Sequence, residues 1–462
     1  MVNKWRITFA SGAMLVAIAL TGCARSVQEL REYPQAEDVV IAPIVSEDTD
    51  ATEQWWQPFA DEHLQSLIAQ GLQDNLSLRS AWHRLEQSGY AMRSARSARF
   101  PEINVDGGVG QQRQFSRTGG GDLESGNVWS ASAALSYELD VWRRIASSVA
   151  GAEYLFEASS MDHETMIISM ASAITDAWLD LQEQAASVAL LEDQLGSARS
   201  ALRSVERRYQ EGVGELLDVY QQRELVAGLA AMLPGAKVAQ DLSKERLAVL
   251  LGTVSDELDV TPDGELPDPI ALPSEITWRE HIADRPDIRA AWLRLQAAEQ
   301  DALSAQRARL PIMQIQAQAR TQEEDADELF DDYTGDALLQ FQFPLFDGGR
   351  LRSEAARLDA IANQNMQAYR EAELEALQEI REGLLQDTAQ AETIDRREEE
   401  LAAARRTLDL SRERYRSGLV EYLNVLSAQQ RVQQLERELL RARRMRLRYQ
   451  LQFARATAGI MD

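Results

Sequence analysis

Two segments of the chain, 142–211 and 350–417, each run for about 70 residues without a proline, long enough for a single helix of roughly 100 Å. In both segments, mostly apolar residues recur at every seventh position, which is the spacing of a left-handed coiled coil. The first ladder comprises Ile174, Leu181, Val188, Leu195, Leu202 and Tyr209. The second comprises Ile380, Asp387, Ile394, Leu401, Leu408 and Tyr415. A hairpin of such helices has a narrow core, so it must pack against other hairpins, and a ring of them would enclose a hollow tube.

The second ladder repeats the first at an offset of 206 residues, as Ile380 against Ile174 shows. Other landmarks recur at a similar spacing, including a proline at 101 and 311 and a glycine at 212 and 418. Fixed-period similarity of this kind is the signature of an internal duplication. The sequence therefore predicts a first repeat at 61–257, a linker at 258–281 and a second repeat at 282–462.

The sequences of the two repeats predict the same order of helices and strands. A helical stretch, Glu62–Arg99 or Ile282–Arg309, ends at a proline and is followed by two runs with period-2 alternation, which suits strands. The runs are Ile103–Gln114, Val128–Leu139, Ile312–Thr321 and Gly335–Phe346. They form predicted β-hairpins at 102–140 and 311–347, and the helical hairpins follow at 142–251 and 350–457.

The four predicted strands leave two edges of a sheet unpaired, which is a liability for an isolated chain. A sheet that spans a membrane has to close, because lipid offers no hydrogen bonds to its edges. Bacterial outer-membrane barrels begin at about eight strands, and three chains with four strands each would supply twelve. The runs are long enough to cross a bilayer. A soluble sheet remains the alternative.

The N-terminus resembles a lipoprotein signal peptide. Lys4 and Arg6 precede a short apolar run, and the segment Leu20–Cys23 reads LTGC, like a lipobox. This predicts a signal peptide at 1–22, a lipid on Cys23 and an extended anchor segment at 23–60. In the lipoproteins that this segment resembles, Ala24 after the cysteine implies sorting to the outer membrane. The alternative is an ordinary signal peptide with a chance cysteine.

The formal net charge of −26 argues against a nucleic-acid partner, which requires a basic surface, although the charge could also serve solubility alone. The four histidines are widely spread, and the sequence HETMI lacks the second histidine of a zinc-protease motif. The one cysteine is assigned to the lipid. We therefore expect no enzyme activity, no metal and no cofactor other than that covalent lipid. The histidines are His63, His83, His163 and His281.

Five segments, in the order expected, resemble the TolC-like outer-membrane efflux family over nearly the whole mature chain. They are Gln54–Ser88, Ser136–Arg144, Arg285–Glu299, Phe343–Arg352 and Arg414–Gln430. The lipobox and the sequence YELDVW are most similar to the lipoprotein branch typified by OprM and NodT. The resemblance implies an α+β membrane protein, a homotrimer whose 12-stranded β-barrel is continued by a long α-helical coiled-coil barrel in the periplasm.

The resemblance also implies a function. The chain would be the passive outer-membrane exit duct of a tripartite efflux system for small molecules such as drugs, metals or solvents. Its partners would be a periplasmic adaptor and an inner-membrane pump, most simply of the RND type, and its location the outer membrane, anchored by lipid. A channel for type I protein secretion and a non-conducting coiled-coil scaffold are the alternatives, although a scaffold leaves the strands unexplained.

The two chain reversals between the long helices are here called the first tip, residues 209–222, and the second tip, residues 415–430. By the resemblance, Gly212, Gly214 and Gly418 are turn glycines at the end that docks the adaptor, where a Cβ would hinder the reversal. Tyr209 and Tyr415 match a latch tyrosine of the family. Both also continue the apolar ladders, so a core role is the alternative.

Acidic residues follow each turn. Asp218 matches the aspartate that the family's latch residues hold and is assigned to the periplasmic constriction, where a trimer would present three copies of it. Asn424 and Ser427 stand where relatives carry further acids of that constriction. Glu215 and Glu421 are candidates to restore acidity there. The alternative is that the two glutamates are favourable acids at a helix start and that Asp218 is a solvated helix residue.

Two positions depart from the family pattern. Val420 stands where relatives can carry a latch arginine, so the predicted latch is incomplete. Pro234 lies inside the predicted return helix of the first hairpin, where it is expected to kink or break the helix. No counterpart exists in the second hairpin, so the first hairpin is predicted to bend more.

Overall fold

The computed structural model describes Phe59 and residues 62–115, 123–272 and 282–457, with side chains excepted at 62, 113–115 and 123–125. The predictions for 1–58, which include the signal peptide and Cys23, lie outside the described residues. The elements of the first half are α1 Glu62–Asp74, α2 Leu76–Ser97, β1 Glu102–Phe115, β2 Leu123–Leu139, α3 Arg144–Gln210 and α4 Leu216–Leu250. Those of the second half are α5 Pro286–Arg307, β3 Ile312–Glu323, β4 Thr334–Gln342, α6 Arg350–Arg416 and α7 Tyr422–Ala456.

Three predicted boundaries are wrong for local reasons. The first helical stretch is divided at Asn75, whose extended backbone and side chain cap α2 by accepting a hydrogen bond from the Leu78 amide. The second helical stretch, predicted from Ile282, is divided at Arg285: residues 282–284 are helical, but the residue before a proline avoids the helical region, so α5 begins at Pro286. Strand β4 ends at Gln342, two residues before Pro344, which has no N–H for a strand ladder.

The four strands form one antiparallel sheet in the order β1-β2-β3-β4, so β1 and β4 are its two edges. The register places Val105 opposite Ala133 and Ala133 opposite Ala319, which gives the sheet two chemically distinct faces. One face is apolar and carries Ile103, Val105, Leu135, Ala317, Ile315, Leu339 and Phe341. The other is largely polar and carries Asn104, Asp106, Ser132, Ser136, Gln314, Gln316 and Gln318. The period-2 alternation in the sequence is therefore confirmed as a two-faced sheet.

Helices α3 and α6 are each 67 residues long, whereas the return helices α4 and α7 have 35 residues each. Each return helix can therefore cover only about half of its partner. The other half is covered by the shorter helices, because α2 and α5 pack against α3 and α5 also packs against α6. This arrangement explains why a helix precedes each pair of strands.

Apart from Tyr209 at the end of the first ladder, which is exposed, the heptad ladders form the buried faces of the hairpins, as predicted. Ile174, Leu181 and Ile380 are almost fully buried. The ladder residues nearer the chain reversals, such as Leu195 and Leu408, join residues of α4 and α7 in one apolar cluster, here called the lower apolar cluster. The acidic ladder member Asp387 is also buried; it accepts hydrogen bonds from Arg446 Nε at 3.0 Å and from Gln450 Nε2 at 2.8 Å. A buried carboxylate is tolerated here because it is paired.

The described part of the predicted linker, 258–272, lies along the helices. Leu258 is buried in the apolar cluster that contains Ile174, and the Gln450 side chain hydrogen-bonds both the N–H and the carbonyl of Ile270. Gln450 therefore connects this segment to Asp387. The residues 273–281 lie outside the described part of the chain.

The predicted break at Pro234 is wrong, because α4 is continuous through it. The proline is exposed, while Leu229 before it and Ala236 after it pack on the apolar cluster. Packing on both sides offsets the loss of one backbone hydrogen bond. A greater bend of the first hairpin stays a prediction.

We expect the substitution Asp387→Ala to destabilise the protein by about 3 kcal/mol, since it leaves the Arg446 guanidinium and the Gln450 amide without their shared acceptor. Thermal unfolding followed by far-UV circular dichroism would show a lower midpoint. The control is Asp395→Ala on the exposed side of the same helix, which should shift it little. Equal midpoints for the two variants would contradict a structural role for Asp387.

Candidate functional site

Both helical hairpins reverse through the same turn. In the first tip, Gly212 adopts a left-handed φ of 76°, its N–H donates to the carbonyl of Tyr209 at 3.0 Å, and Val213 N–H donates to that of Arg208 at 2.9 Å. The same two bonds recur around Gly418, where φ is 72°. This pair of bonds is the Schellman motif, and glycine is favoured because the conformation strains a residue with a Cβ. Both tips therefore have a defined shape rather than a loose loop.

The two turns differ at the second residue after the positive-φ glycine. A Cβ at Gly214 would lie 3.1 Å from the Tyr209 amide nitrogen and 3.3 Å from the main-chain carbon of Arg208, closer than most side chains allow. The corresponding residue of the second tip is Val420, which is partly buried. A side chain at this position of the first turn would therefore press on the end of α3, whereas the second turn accommodates Val420.

The structure brings Tyr415 and Asp218 together, although they come from different repeats. The Tyr415 hydroxyl donates a 2.8 Å hydrogen bond to Asp218 Oδ2 and so connects the end of α6 to the first turn of α4. Asp218 is only 8% exposed, so it is not the solvated helix residue of the alternative interpretation. Tyr415 also packs against the lower apolar cluster, and it therefore serves the core and the polar contact at once.

Burial, and then the hydrogen bond to Asp218, raise the pKa of Tyr415 to about 12, against the opposing effect of the Arg208 guanidinium. The phenol therefore keeps its proton and remains a donor at neutral pH. Because the folded-state pKa lies above the ordinary value of about 10, the contribution of this bond is complete below pH 10 and is lost as the pH rises toward 12. The contact is thus insensitive to pH in the neutral range.

A relay of two hydrogen bonds lies beside the Tyr415–Asp218 contact and was not predicted from the sequence. The Tyr422 hydroxyl donates to Gln222 Oε1 at 2.7 Å, and Gln222 Nε2 donates to the carbonyl of Ala198 at 2.8 Å. Both side chains are buried, and burial raises the pKa of Tyr422 above its ordinary range. The relay connects α7, α4 and α3. Gln222 lies four residues after Asp218, on the same helix face, and this spacing was the available signal.

An arginine completes the contacts of the latch tyrosine. The guanidinium carbon of Arg208 lies 4.9 Å from the centre of the Tyr415 ring, and the Tyr415 and Tyr422 rings are 5.1 Å apart. Cations favour the face of an aromatic ring. Val420 cannot serve as the latch arginine of the family; Arg208, from the other repeat, contacts the latch tyrosine instead.

Tyr209 does not share these contacts. Its side chain is 45% exposed, and no hydrogen bond joins it to Asp218 in the part of the chain that the structure describes. Neither the latch interpretation nor the core interpretation of Tyr209 applies within one chain. Its repeat counterpart Tyr415 satisfies both, so the duplicated sequence has two different environments.

The remaining predicted residues of the constriction are exposed at the tips. Glu215 and Glu421 occupy the N-cap positions of α4 and α7 with extended backbones, and neither side chain makes a capping hydrogen bond. Asn424 and Ser427 are exposed, and Asn424 Nδ2 makes a long 3.4 Å bond to the Glu421 carbonyl. All four residues are exposed in one chain, so a constriction that encloses a pore between them would require further copies.

His163 lies in α3 in edge-to-face contact with Trp82. Burial lowers the pKa of His163, so it is neutral at pH 7. Within the ranges 62–115, 123–272 and 282–457, no group of three or more His, Cys, Asp or Glu residues could hold a metal ion. No described helix combines the length and apolar character needed to cross a bilayer.

Comparison with known proteins gives one family. The model of the family described as "Outer membrane efflux protein" matches residues 67–253 and 278–459. Among curated relatives, the chain is 28% identical over 423 residues to the pyoverdine export outer membrane protein OpmQ of Pseudomonas aeruginosa, covering 89% of this chain and 88% of the relative. It is also 28% identical to the toluene efflux pump outer membrane protein TtgF of Pseudomonas putida, covering 90% and 87%.

Solved structures show the same fold. The outer-membrane channel OprN superposes with a TM-score of 0.82 at 24% identity, covering 88% of this chain and 92% of that one. The outer membrane protein VceC of Vibrio cholerae superposes with a TM-score of 0.79 at 24% identity, covering 88% and 99%. The family match covers both repeats and all of the described long helices. The chain belongs to the outer membrane efflux protein family.

Proposed function

We propose that the chain is the outer-membrane exit duct of a tripartite efflux system, through which small molecules pass from a pump to the exterior. The observation that carries the proposal is a two-faced four-stranded sheet joined directly to helical hairpins, two of whose helices are roughly 100 Å long. The first element suits a membrane wall, and the second suits a tube that crosses an aqueous compartment. The relatives are named as outer-membrane proteins of export or efflux pumps.

The sheet supports a closed barrel made by three chains. Its apolar face includes Val105, Leu339 and Phe341, which are 74%, 51% and 61% exposed in one chain, and lipid would cover them. Edge strands β1 and β4 are free to pair with neighbouring copies, and three chains would supply twelve strands. Strands of 14, 17, 12 and 9 residues approach or exceed the roughly 9 to 11 residues needed to cross a bilayer.

The polar face would then line the channel. Gln314 Nε2 donates to Ser136 Oγ at 2.8 Å across two strands, and Gln316 Nε2 donates to Gln314 Oε1 at 3.1 Å along one strand, so polar groups there have hydrogen-bond partners. The helical hairpins of three chains would continue the channel as a tube in the periplasm. Such a duct is passive, and neither a catalytic step nor a source of motive force is part of the proposal.

The tips would form the periplasmic end. In a trimer, three copies of the Tyr415–Asp218 contact would hold the hairpins together, while Glu215, Glu421, Asn424 and Ser427 would face the constriction. The turn glycines Gly212, Gly214 and Gly418 shape the surface offered to a periplasmic adaptor, whose pump we propose to be of the RND type.

The transported substrate follows from the partners rather than from this chain. Relatives with the same 28% identity are named for pyoverdine export and for toluene efflux, so one duct fold serves chemically unlike compounds. We therefore assign small molecules as the substrate class, with selection made by the pump and adaptor.

Membrane attachment has a second proposed component. Cys23 follows the lipobox-like segment and is the one cysteine of the chain. Lipid on this residue would place the N-terminus at the inner leaflet of the outer membrane, beside the proposed barrel. The lipid would anchor the chain, whereas the strands would span the bilayer.

The central test is conductance. The purified full-length chain, reconstituted in planar lipid bilayers, should form a trimer by light scattering and give discrete channel currents. A protein without current, even after the tip contacts are weakened, would refute the duct. Co-purification with an ABC exporter rather than an RND adaptor would favour protein secretion instead.

The latch contact makes a separate prediction. Combining Tyr415→Phe with Asp218→Ala removes both partners of the 2.8 Å bond and should increase the open population of the tip about tenfold, because a hydrogen bond to a carboxylate contributes about 1.5 kcal/mol or more. Single-channel conductance and drug uptake measure the change. Tyr209→Phe is the matched control, since the corresponding tyrosine of the first repeat is exposed and should leave both unchanged. Identical values for the double variant and the control would reject the latch.

The lipid anchor is tested by Cys23→Ser, which should abolish the incorporation of labelled palmitate because no other thiol exists. The variant should still sediment with membranes if the strands span the bilayer. Ser26→Ala, three residues further on, is the control and should keep the label. Persistent labelling of the Cys23→Ser variant would disprove the assignment.

A further inference from the structure

A groove with a volume of about 740 Å³ runs between the C-terminal part of α3, from Asp193 to Arg208, and the hairpin α6–α7. Among the residues that the structure describes, its charged lining is almost entirely positive, and Asp193 is the one acidic residue in it. The cluster, here called the arginine groove, comprises Arg199, Arg203, Arg208, Arg412 and Arg416. Five guanidinium groups around one groove are unexpected in a chain whose net charge is −26.

These arginines lack the carboxylate partners that other arginines of the hairpins have. None of the five lies within 4.0 Å of a carboxylate oxygen among the residues that the structure describes. Nearby, Arg223 pairs with Glu206 at 2.7 Å and Arg405 pairs with Glu436 at 2.9 Å. Within the described part of the chain, the buried Nε of Arg208 has no hydrogen-bond partner. The groove therefore holds positive charge that the chain itself does not neutralise.

The internal repeat shows that the hairpin fold does not require this charge. The groove arginines and Asp193 together carry a net charge of four positive. The residues 206 positions away in the other repeat carry a net charge of one negative. They are Glu399, Arg405, Asp409, Arg414, Glu206 and Gln210. The same helices thus form with and without the arginines, so the charge has a local role.

The shape of the groove fits a helix rather than a small anion. Its α3 wall extends from Asp193 to Arg208, which is roughly 22 Å of helix. Arg199 and Arg203 are four residues apart on this wall, and a second pair with the same spacing lies on α6. Between the walls, the side chains of Val205, Tyr422 and Val425 are buried and form an apolar floor. A helix with apolar residues on one stripe and acids at its margins would match both surfaces.

We propose that the arginine groove is the docking surface for an acidic amphipathic helix of the periplasmic partner, which rests on the proposed duct function. The partner's carboxylates would pair with Arg199 and Arg203 on one wall and with Arg412 and Arg416 on the other. The long-range repulsion of an acidic chain is screened within about 8 Å at physiological salt, so the local arginines govern the contact. The groove uses a face of α7 different from that of Asn424 and Ser427, so docking leaves the proposed constriction open to the lumen.

The test uses the purified full-length chain in detergent and a labelled synthetic helical peptide. The peptide carries glutamates at positions i and i+4 on both margins of a leucine stripe, and a second peptide carries glutamine at those positions. Fluorescence anisotropy should show that the chain binds the glutamate peptide and binds the glutamine peptide at least about tenfold more weakly. Binding should weaken steadily as salt is raised.

Two groove variants and one control locate the binding. Arg199→Gln combined with Arg203→Gln should weaken the glutamate peptide about tenfold, since two charged contacts are lost. Arg412→Gln combined with Arg416→Gln tests the opposite wall if the first variant loses its helical circular dichroism. Arg396→Gln combined with Arg443→Gln removes the same charge from arginines that already pair with Glu399 and Glu398, and it should bind normally.

Several results would overturn the proposal. They are equal binding of the two peptides, equal weakening by the groove and control variants, absence of binding, and displacement of the peptide by phosphatidylglycerol vesicles, which would indicate a lipid surface instead. The outcome is independent of the duct test, because peptide binding is measured without a bilayer. A conducting chain that ignores the peptide would refute the groove alone, and a chain that binds the peptide without conducting would refute the duct alone.

Discussion

The narrow core of a long helical hairpin is the constraint on which the rest of the structure depends. A 67-residue helix exposes an apolar stripe along its whole length, but the return helix of 35 residues covers only about half of it. The other half has to be buried by something else, and the short helices α2 and α5 do this. The strands of each repeat come between the short helix and the N-terminus of the long helix, at the end opposite the tip. The order of helix, two strands and helical hairpin in each repeat is thus a consequence of one unequal pair of helices.

A regular heptad ladder determines which face of a helix is buried, but it determines the register weakly, because a slip of seven residues restores the same pattern. Buried polar pairs remove this ambiguity, since their hydrogen bonds are satisfied in one register only. Asp387 with Arg446 and Gln450 has this role in the middle of the second hairpin. Tyr415 with Asp218 connects the two hairpins close to the tips. These contacts lie where a hairpin must be positioned against its neighbour, and the proposed latch uses one of them.

One chain leaves several surfaces unsatisfied, and their chemistry differs along the molecule. The sheet has an exposed apolar face and two unpaired edges, which suit lipid and further copies. The tips carry the exposed acids Glu215 and Glu421, and the lining of the arginine groove beside them has an excess of positive charge. Each surface fits a different environment, which is consistent with a protein that connects a membrane, its own copies and a periplasmic partner.

The sequence by itself determined the duplication, the extent of the long helices, the alternation of the strands and the turn glycines, because each depends on local spacing or on backbone conformation at single residues. It also gave the candidates Tyr415 and Asp218, through resemblance. It did not separate Tyr209 from Tyr415, which stand in equivalent patterns, and it missed Tyr422, Gln222 and Arg208. Only the tertiary structure decided these, because the partners lie on different helices and in different repeats, so no spacing along the chain records their distance. The arginine groove is of the same kind: its charges are scattered over two long helices, and only their packing brings them around one cavity.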